Sequence, residues 1–250
     1  MRAAKQGSAS VRAPSNGSIS DMRVLITRPE EDAAKIAEIL RARGHEGIVA
    51  PLLNVRFHDG PEISLDGIQA VLATSANGVR ALAQRTKRRD VPLFAVGPQT
   101  EEEARHHGFG MVRNAGGDSR ALAAATSQWA SPASGPLLHA KGAEGDGTLA
   151  SLLKAQGFEV QSAVLYDVAT IAALPQGVRG LLADGKIDAA LFFSARSARV
   201  FGEKAGGFDL SNVIAVCISE SAAAALSPIV FREIRMAAKP NQAALLDCLS

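Results

Sequence analysis

Short apolar runs alternate along the chain with stretches whose apolar residues recur at helical spacing. Val24–Thr27, Ile48–Ala50, Val71–Thr74 and Leu93–Val96 read as strands, and stretches near Glu31–Arg43, Gly78–Arg85 and Thr100–His107 read as helices. In the first helical stretch Ala33, Ile36, Ala37 and Leu40 share a face, Pro29 and the acids Glu30 to Asp32 stand at its start, and Gly44 follows its end. Proline and acids suit a first turn whose free N–H groups carry partial positive charge, and glycine suits the stop. Strand, helix, strand in that rhythm predicts an α/β fold with parallel sheets flanked by helices.

The pattern also repeats. Val24-Leu-Ile-Thr-Arg28, a helix holding Leu40, and Gly44 recur 113 positions later as Leu137-Leu-His-Ala-Lys141, a helix holding Leu153, and Gly157. Leu72-Ala-Thr-Ser75 matches Leu191-Phe-Phe-Ser194, and Phe94-Ala-Val-Gly97 with Thr100 matches Ile214-Ala-Val-Cys217 with Ser221, at offsets of 119 to 121. Two similar open α/β domains are expected, with a small-molecule site between them. Units in the order A-B-A-B can pair within each half or crosswise, first with last and second with third, and the repeat leaves both pairings open.

Small polar residues follow the strands: Thr27-Arg28-Pro29, Thr74-Ser75, Gly97 to Thr100, Lys141-Gly142, Ser194 to Ser197, and Ser219-Glu220-Ser221. In open parallel sheets ligands bind beyond the carboxyl ends of the strands, where helix N-termini offer N–H groups to anions. Such residues also cap helices in any α/β protein. Only their recurrence in duplicated positions favours a ligand.

Composition removes other classes. Aromatic residues make up 4% of the chain, too few for a base-stacking platform. Of the net charge of +2, three positive residues (Arg2, Lys5, Arg12) precede the first acid at Asp21, which leaves residues 21–250 at −1 and without a field for polyanions. Cys217 and Cys248 lack zinc or disulfide spacing and read as reduced, buried thiols. No run reaches the length of a membrane span, and residues 1–20, Ser-rich and basic, read as a disordered extension, so a cytoplasmic location is expected. The Gly142–Gly147 stretch has neither P-loop nor GxGxxG spacing. His45, His58, His106, His107 and His139 do not pair at metal-ligand spacing, and no GxSxG surrounds Ser75, Ser194 or Ser221. Arg85, Lys87, Arg88 and Arg89 read as a solvated helix end. The only tyrosine, Tyr166, ends the apolar run Val160–Leu165; a phenol there is protonated at neutral pH and can donate to a leaving group, although an aromatic at a strand end commonly serves packing.

Val24-Leu-Ile-Thr-Arg-Pro29, Thr74-Ser-Ala-Asn-Gly-Val79, Ala95-Val-Gly-Pro-Gln-Thr100, Asp118-Ser-Arg-Ala-Leu122, Val164-Leu-Tyr-Asp167 and Phe192-Phe-Ser-Ala-Arg-Ser197 together resemble uroporphyrinogen-III synthases over residues 22 to 250. The resemblance implies two flavodoxin-like domains in a swapped, discontinuous arrangement: residues 22–53 with 168–250, and 56–165. Two crossing connectors are then expected near Leu52–Phe57 and Leu165–Ala169. It implies a cofactor-free, metal-free hydro-lyase that takes hydroxymethylbilane, loses its terminal hydroxyl to form an azafulvenium cation, and closes the macrocycle through a spiro pyrrolenine with ring D reversed. Because the bilane also closes unaided to the symmetric type I isomer, positioning matters more than strong acids or bases.

By the same resemblance Tyr166 is a general acid, helpful but not indispensable. Arg28, Thr74, Ser75, Thr100, Lys141, Ser194, Ser197 and Ser221 become the substrate-binding residues, and Arg196 is a further candidate for a carboxylate. The chain departs from the family pattern after the penultimate strand, where Ile218 replaces a common glycine and Ser221 stands for a threonine. The implied partners are the small-molecule substrate and a transient contact with the preceding pathway enzyme, with no nucleic acid or membrane, and a monomer. The alternatives are a two-domain binding protein that closes on a small ligand, and a cytosolic glycosyl or methyl transferase.

Overall fold

The computed structural model describes residues 21–250 apart from Asp146, so the expected extension over residues 1–20 lies outside the described residues. The chain begins with β1 (Arg23–Ile26), α1 (Glu30–Ala42) and β2 (Glu46–Val49). Next come β3 (Leu53–Phe57), β4 (Ala70–Ala73), α2 (Ala76–Arg85), β5 (Leu93–Ala95), α3 (Pro98–His106), β6 (Val112–Asn114), α4 (Ser119–Trp129), β7 (Leu137–Gly142), α5 (Thr148–Ala155) and β8 (Val160–Thr170). It ends with α6 (Gln176–Ala183), β9 (Ala189–Phe192), α7 (Ala195–Ala205), β10 (Ile214–Cys217), α8 (Glu220–Ala224), β11 (Glu233–Met236) and α9 (Gln242–Asp247).

These elements form two units. The first draws on the chain up to Leu52 and on Ile171–Ser250, and the second is Leu53–Thr170. The first sheet is parallel throughout, in the order β11-β10-β9-β1-β2. The second runs β3-β8-β7-β4-β5-β6, parallel except where β3 lies antiparallel against β8. Of the two pairings the repeat allows, the crosswise one forms. The two passages of chain between units are antiparallel neighbours, with Leu53 opposite Thr170 and Phe57 opposite Tyr166.

Sheet register makes the repeat explicit. Val24 pairs with Ala189 in the first unit as Leu137 pairs with Ala70 in the second. Gly47 likewise faces Val24 as Val160 faces Leu137. Ala215 faces Ala190 as Leu93 faces Val71, which sets the offset of that strand at 122 positions and corrects the 120 to 121 expected there, while the 119 of the Leu72 and Leu191 strands holds. The correction moves side chains. The structural counterpart of Gly97 is Ser219, and that of Thr100 is Ala222, not Ser221.

Both faces of each sheet are covered by helices, which is why the strands read as continuous apolar runs. In the second unit Ala70, Leu72, Phe94 and Leu137 pack on one face with Leu122, Leu149 and Leu153. Val71, Ala73, Leu93 and Leu138 pack on the other with Val79, Leu82 and Phe109. In the first unit Val24, Ile26, Leu191 and Val216 pack against Ile36 and Leu40 of α1 and Leu245 of α9. Each such fully buried aliphatic side chain contributes about 2 kcal/mol.

Candidate active site

Tyr166 owes its place to an irregularity in β8. Lys141 faces Val164 and the next residue, Gly142, faces Tyr166, so Leu165 is an extra residue on the β8 side. Strand side chains alternate faces, and a bulge resets the alternation. Ala163 and Leu165 therefore face the apolar core before the bulge, and Tyr166 and Val168 face it after. The tyrosine is 8% exposed. Its ring lies edge-on to Phe57, with centroids 6.5 Å apart, and crosses the backbone of Gly142, where an added Cβ would sit 2.7 Å from Cε2. The Tyr166 hydroxyl and Ser75 Oγ share a hydrogen bond of 2.8 Å.

Ser75 is held in turn by α2. It is the N-cap, with extended backbone, and its Oγ accepts the Gly78 N–H at 3.1 Å. The start of α2 packs closely on β7: a Cβ at Gly78 would meet the Ala140 carbonyl oxygen at 2.6 Å, so only glycine fits. Arg80 secures the same turn. Its guanidinium donates to Asn77 Oδ1 at 3.0 Å and to Glu103 Oε2 of α3 at 2.7 Å, and the Arg80 and Glu103 side chains are 12% and 10% exposed.

The other expected turns recur at the carboxyl ends of the strands. Ser194 and Ser219 cap α7 and α8 with backbone angles close to those of Ser75. Ser194 Oγ accepts the Ser197 N–H and donates to Ser197 Oγ, whose own proton goes to the Ser194 carbonyl. Ser221 is exposed and shares a hydrogen bond with Ser219 Oγ. Thr74 is half-buried before the Ser75 cap, and Thr100 is buried in the first turn of α3, whose N-cap is Gly97. The second unit thus gathers Thr74, Ser75, Thr100, Lys141 and Tyr166, and the first holds Arg28, Ser194, Ser197 and Ser221.

Arg28 and Lys141 occupy equivalent strand ends with different surroundings. Arg28 is ion-paired to Asp32 at 2.7 Å and lies 5.0 Å over the Phe193 ring, so its charge is already matched. Among the described residues no carboxylate pairs with Lys141. Arg196 is half-buried on α7.

Several expectations change. Arg85 and Arg89 depart from the reading of a solvated helix end, whereas Lys87 is exposed and Arg88 keeps a side chain 40% exposed. Arg85 donates to the carbonyls of His58 and Pro61, and Arg88 pairs with Asp66 and Asp90. Arg89 donates to the carbonyls of Ala83, Thr86, Arg88 and His107 and stacks on Phe109. A helix C-terminus leaves carbonyls unpaired, and arginine satisfies them. Cys248 is only half-buried, as the C-cap of α9, whereas Cys217 is fully buried on β10 and burial pushes its thiol up to about 12. Asp167, beside Tyr166 but pointing the other way, lies 2.9 Å from His58 Nε2 and 3.1 Å from Arg56, which together hold its carboxyl below the usual range. Sequence reading missed Phe57, Gly78, Gly142 and Leu165 because their roles depend on partners far along the chain. A depression of about 750 Å³ in the first unit, lined by Arg23, Glu38, Arg41 and His45, lies at the amino ends of the strands, opposite the cap turns, and holds none of the expected residues.

Among the described residues no three His, Cys, Asp or Glu side chains converge as a metal site, and no helix is long and apolar enough to cross a membrane. The crystal structure of the uroporphyrinogen-III synthetase from Helicobacter pylori 26695 has the same fold, with a TM-score of 0.62 at 18% identity over 91% of this chain and 97% of that one. A mutant uroporphyrinogen III synthase from the extremely thermophilic bacterium Thermus thermophilus matches with a TM-score of 0.48 at 15% identity over 91% and 96% of the two chains. A curated protein of Methanocaldococcus jannaschii named "Putative uroporphyrinogen-III synthase" is 36% identical over 61 residues, so the match spans 24% of this chain and 25% of that protein. A family model described as uroporphyrinogen-III synthase HemD matches residues 34–247. On that match, which takes in both units, the chain belongs to the uroporphyrinogen-III synthase HemD family.

Proposed function

We propose that this chain closes hydroxymethylbilane to uroporphyrinogen III, with Tyr166 as the general acid for departure of the terminal hydroxyl. The observation that carries the residue assignment is the Tyr166 hydroxyl, held 2.8 Å from the cap of α2 at the carboxyl end of the second sheet. Loss of water leaves an azafulvenium cation; ring D attacks through its substituted carbon, and the spiro intermediate fragments and recloses. The pyrrole nitrogen supplies the electrons that expel the hydroxyl, so a phenol suffices as the acid and no cofactor enters the reaction.

The acetate and propionate groups around the bilane require many weak holds. Backbone N–H groups at the turns of Thr74, Ser75, Thr100, Ser194, Ser197 and Ser221 suit carboxylates, each charge-assisted bond contributing about 1.5–3 kcal/mol. Lys141 adds a cation with no carboxylate partner among the described residues. Arg28 binds substrate only by sharing its charge with Asp32. The protein works as a cytoplasmic monomer that meets the preceding pathway enzyme only transiently.

Freshly made hydroxymethylbilane supplied to the purified protein, followed by oxidation and separation of the uroporphyrin isomers, tests the activity. Type III excess is expected. Type I alone, as in a blank, sinks the reading and returns the binding-protein and transferase alternatives.

A further inference from the structure

We infer that Ser75 is a positioning residue for the Tyr166 proton: its hydroxyl donates to the phenol oxygen and leaves the phenol O–H to reach the departing hydroxyl of the substrate. The inference rests on the reading of Tyr166 as the acid. A serine hydroxyl has one proton and two lone pairs. In Ser75 one lone pair takes the Gly78 N–H, and the Tyr166 hydroxyl lies within hydrogen-bond distance, at 2.8 Å.

The duplicated unit shows why the Ser75 proton is available. Ser194 has the same position and backbone, but Ser197 stands three residues on and takes the Ser194 proton at 3.0 Å. The matching position in the second unit is Gly78, which has no side chain to compete. With the Ser75 proton committed to the phenol oxygen, the Tyr166 proton is not consumed inside the protein.

The arrangement also favours the charge that develops. The phenol proton passes to the leaving hydroxyl, the C–O bond breaks with its electron pair going to water, and the pyrrole nitrogen pair completes the azafulvenium. The phenolate accepts the Ser75 O–H at the positive end of α2, where negative charge is stabilised. Ring closure and rearrangement release one proton, which returns to the phenolate. Water is the only other product.

Tyr166 is the only tyrosine of the chain, so the protein labelled with carbon-13 at tyrosine Cζ gives a single resonance that reports hydrogen bonding to the phenol oxygen. Ser75→Gly retains a tolerated N-cap at a cost of a few tenths of a kcal/mol. It is expected to shift that resonance and to lower kcat about tenfold with KM little changed, the worth of one net hydrogen bond. Ser75→Thr, which keeps both cap and O–H, is expected to restore most of the rate and the wild-type resonance. An unmoved resonance, or an unchanged kcat in Ser75→Gly beside a slow Tyr166→Phe, overturns the inference and leaves the Tyr166 reading intact. A wild-type rate for Tyr166→Phe overturns both.

Discussion

The Tyr166 ring lies across the bare backbone of Gly142: a Cβ at position 142 would fall 2.7 Å from Cε2 and 2.8 Å from Cζ. The extra residue Leu165 turns the tyrosine toward the core, and the missing side chain opposite leaves room for its ring. Each feature is idle without the other.

Gly142→Ala is therefore expected to displace the ring by roughly 1 Å and to lower kcat about 100-fold, the usual cost of such a misplacement. Circular dichroism should show an intact fold. Steady-state kinetics on the bilane check it, and wild-type turnover would mean the ring is not held where it acts.

Tyr166→Phe keeps the packing against Phe57 and removes only the acid. A fall in kcat of about 100-fold is expected, the lower end for a positioned general acid, because the pyrrole already assists departure of the hydroxyl. The residual product should remain type III, since ring inversion depends on positioning. Isomer analysis of the slow variant measures this, and a drift to type I would give Tyr166 a part in geometry as well.

His139, on β7 beside Leu137, is 6% exposed, and neither ring nitrogen has a partner among the described residues. Burial, with Lys141 adding to it, lowers its pKa from 6.5 to about 4. The folded value lies below the unfolded one, so the contribution to stability is fully present above pH 6.5 and is lost as pH falls toward 4. Acidification from pH 7 to 4.5 is expected to destabilise the wild type by about 2–3 kcal/mol more than His139→Leu. Urea unfolding of the two proteins at both pH values decides it; parallel losses would exonerate the histidine.

Arg80 and Glu103 join α2 to α3 through a nearly buried ion pair at 2.7 Å. Glu103→Ala takes this carboxylate away from the nearly buried guanidinium and is expected to cost about 3 kcal/mol. A lower urea midpoint with unchanged slope is the expected readout. Equal stability would show that the pair contributes nothing net.

Much was legible from local pattern. The strands Val24–Ile26 and Val71–Ala73, the helix around Ile36 and Leu40, and the serines before α2 and α7 follow from periodicity and capping, which act over a few residues. Ser219 was read as part of a turn, but its match to Gly97 needed sheet register, because strand similarity alone slid the alignment by two positions. Arg89 looked like surface charge because the carbonyls it satisfies, as far away as His107, are not visible as sequence neighbours.

By itself the amino-acid sequence determined the class of fold, its duplication and the family resemblance, since each is written in short motifs and their spacing. Only the tertiary structure decided between the two pairings of the repeats and placed Ser75 against Tyr166, 91 positions later. It also set Leu165 as a bulge and Gly142 beneath the ring. These depend on which strands meet and in what register, and that is settled by burying two faces of each sheet at once, a condition on the whole chain.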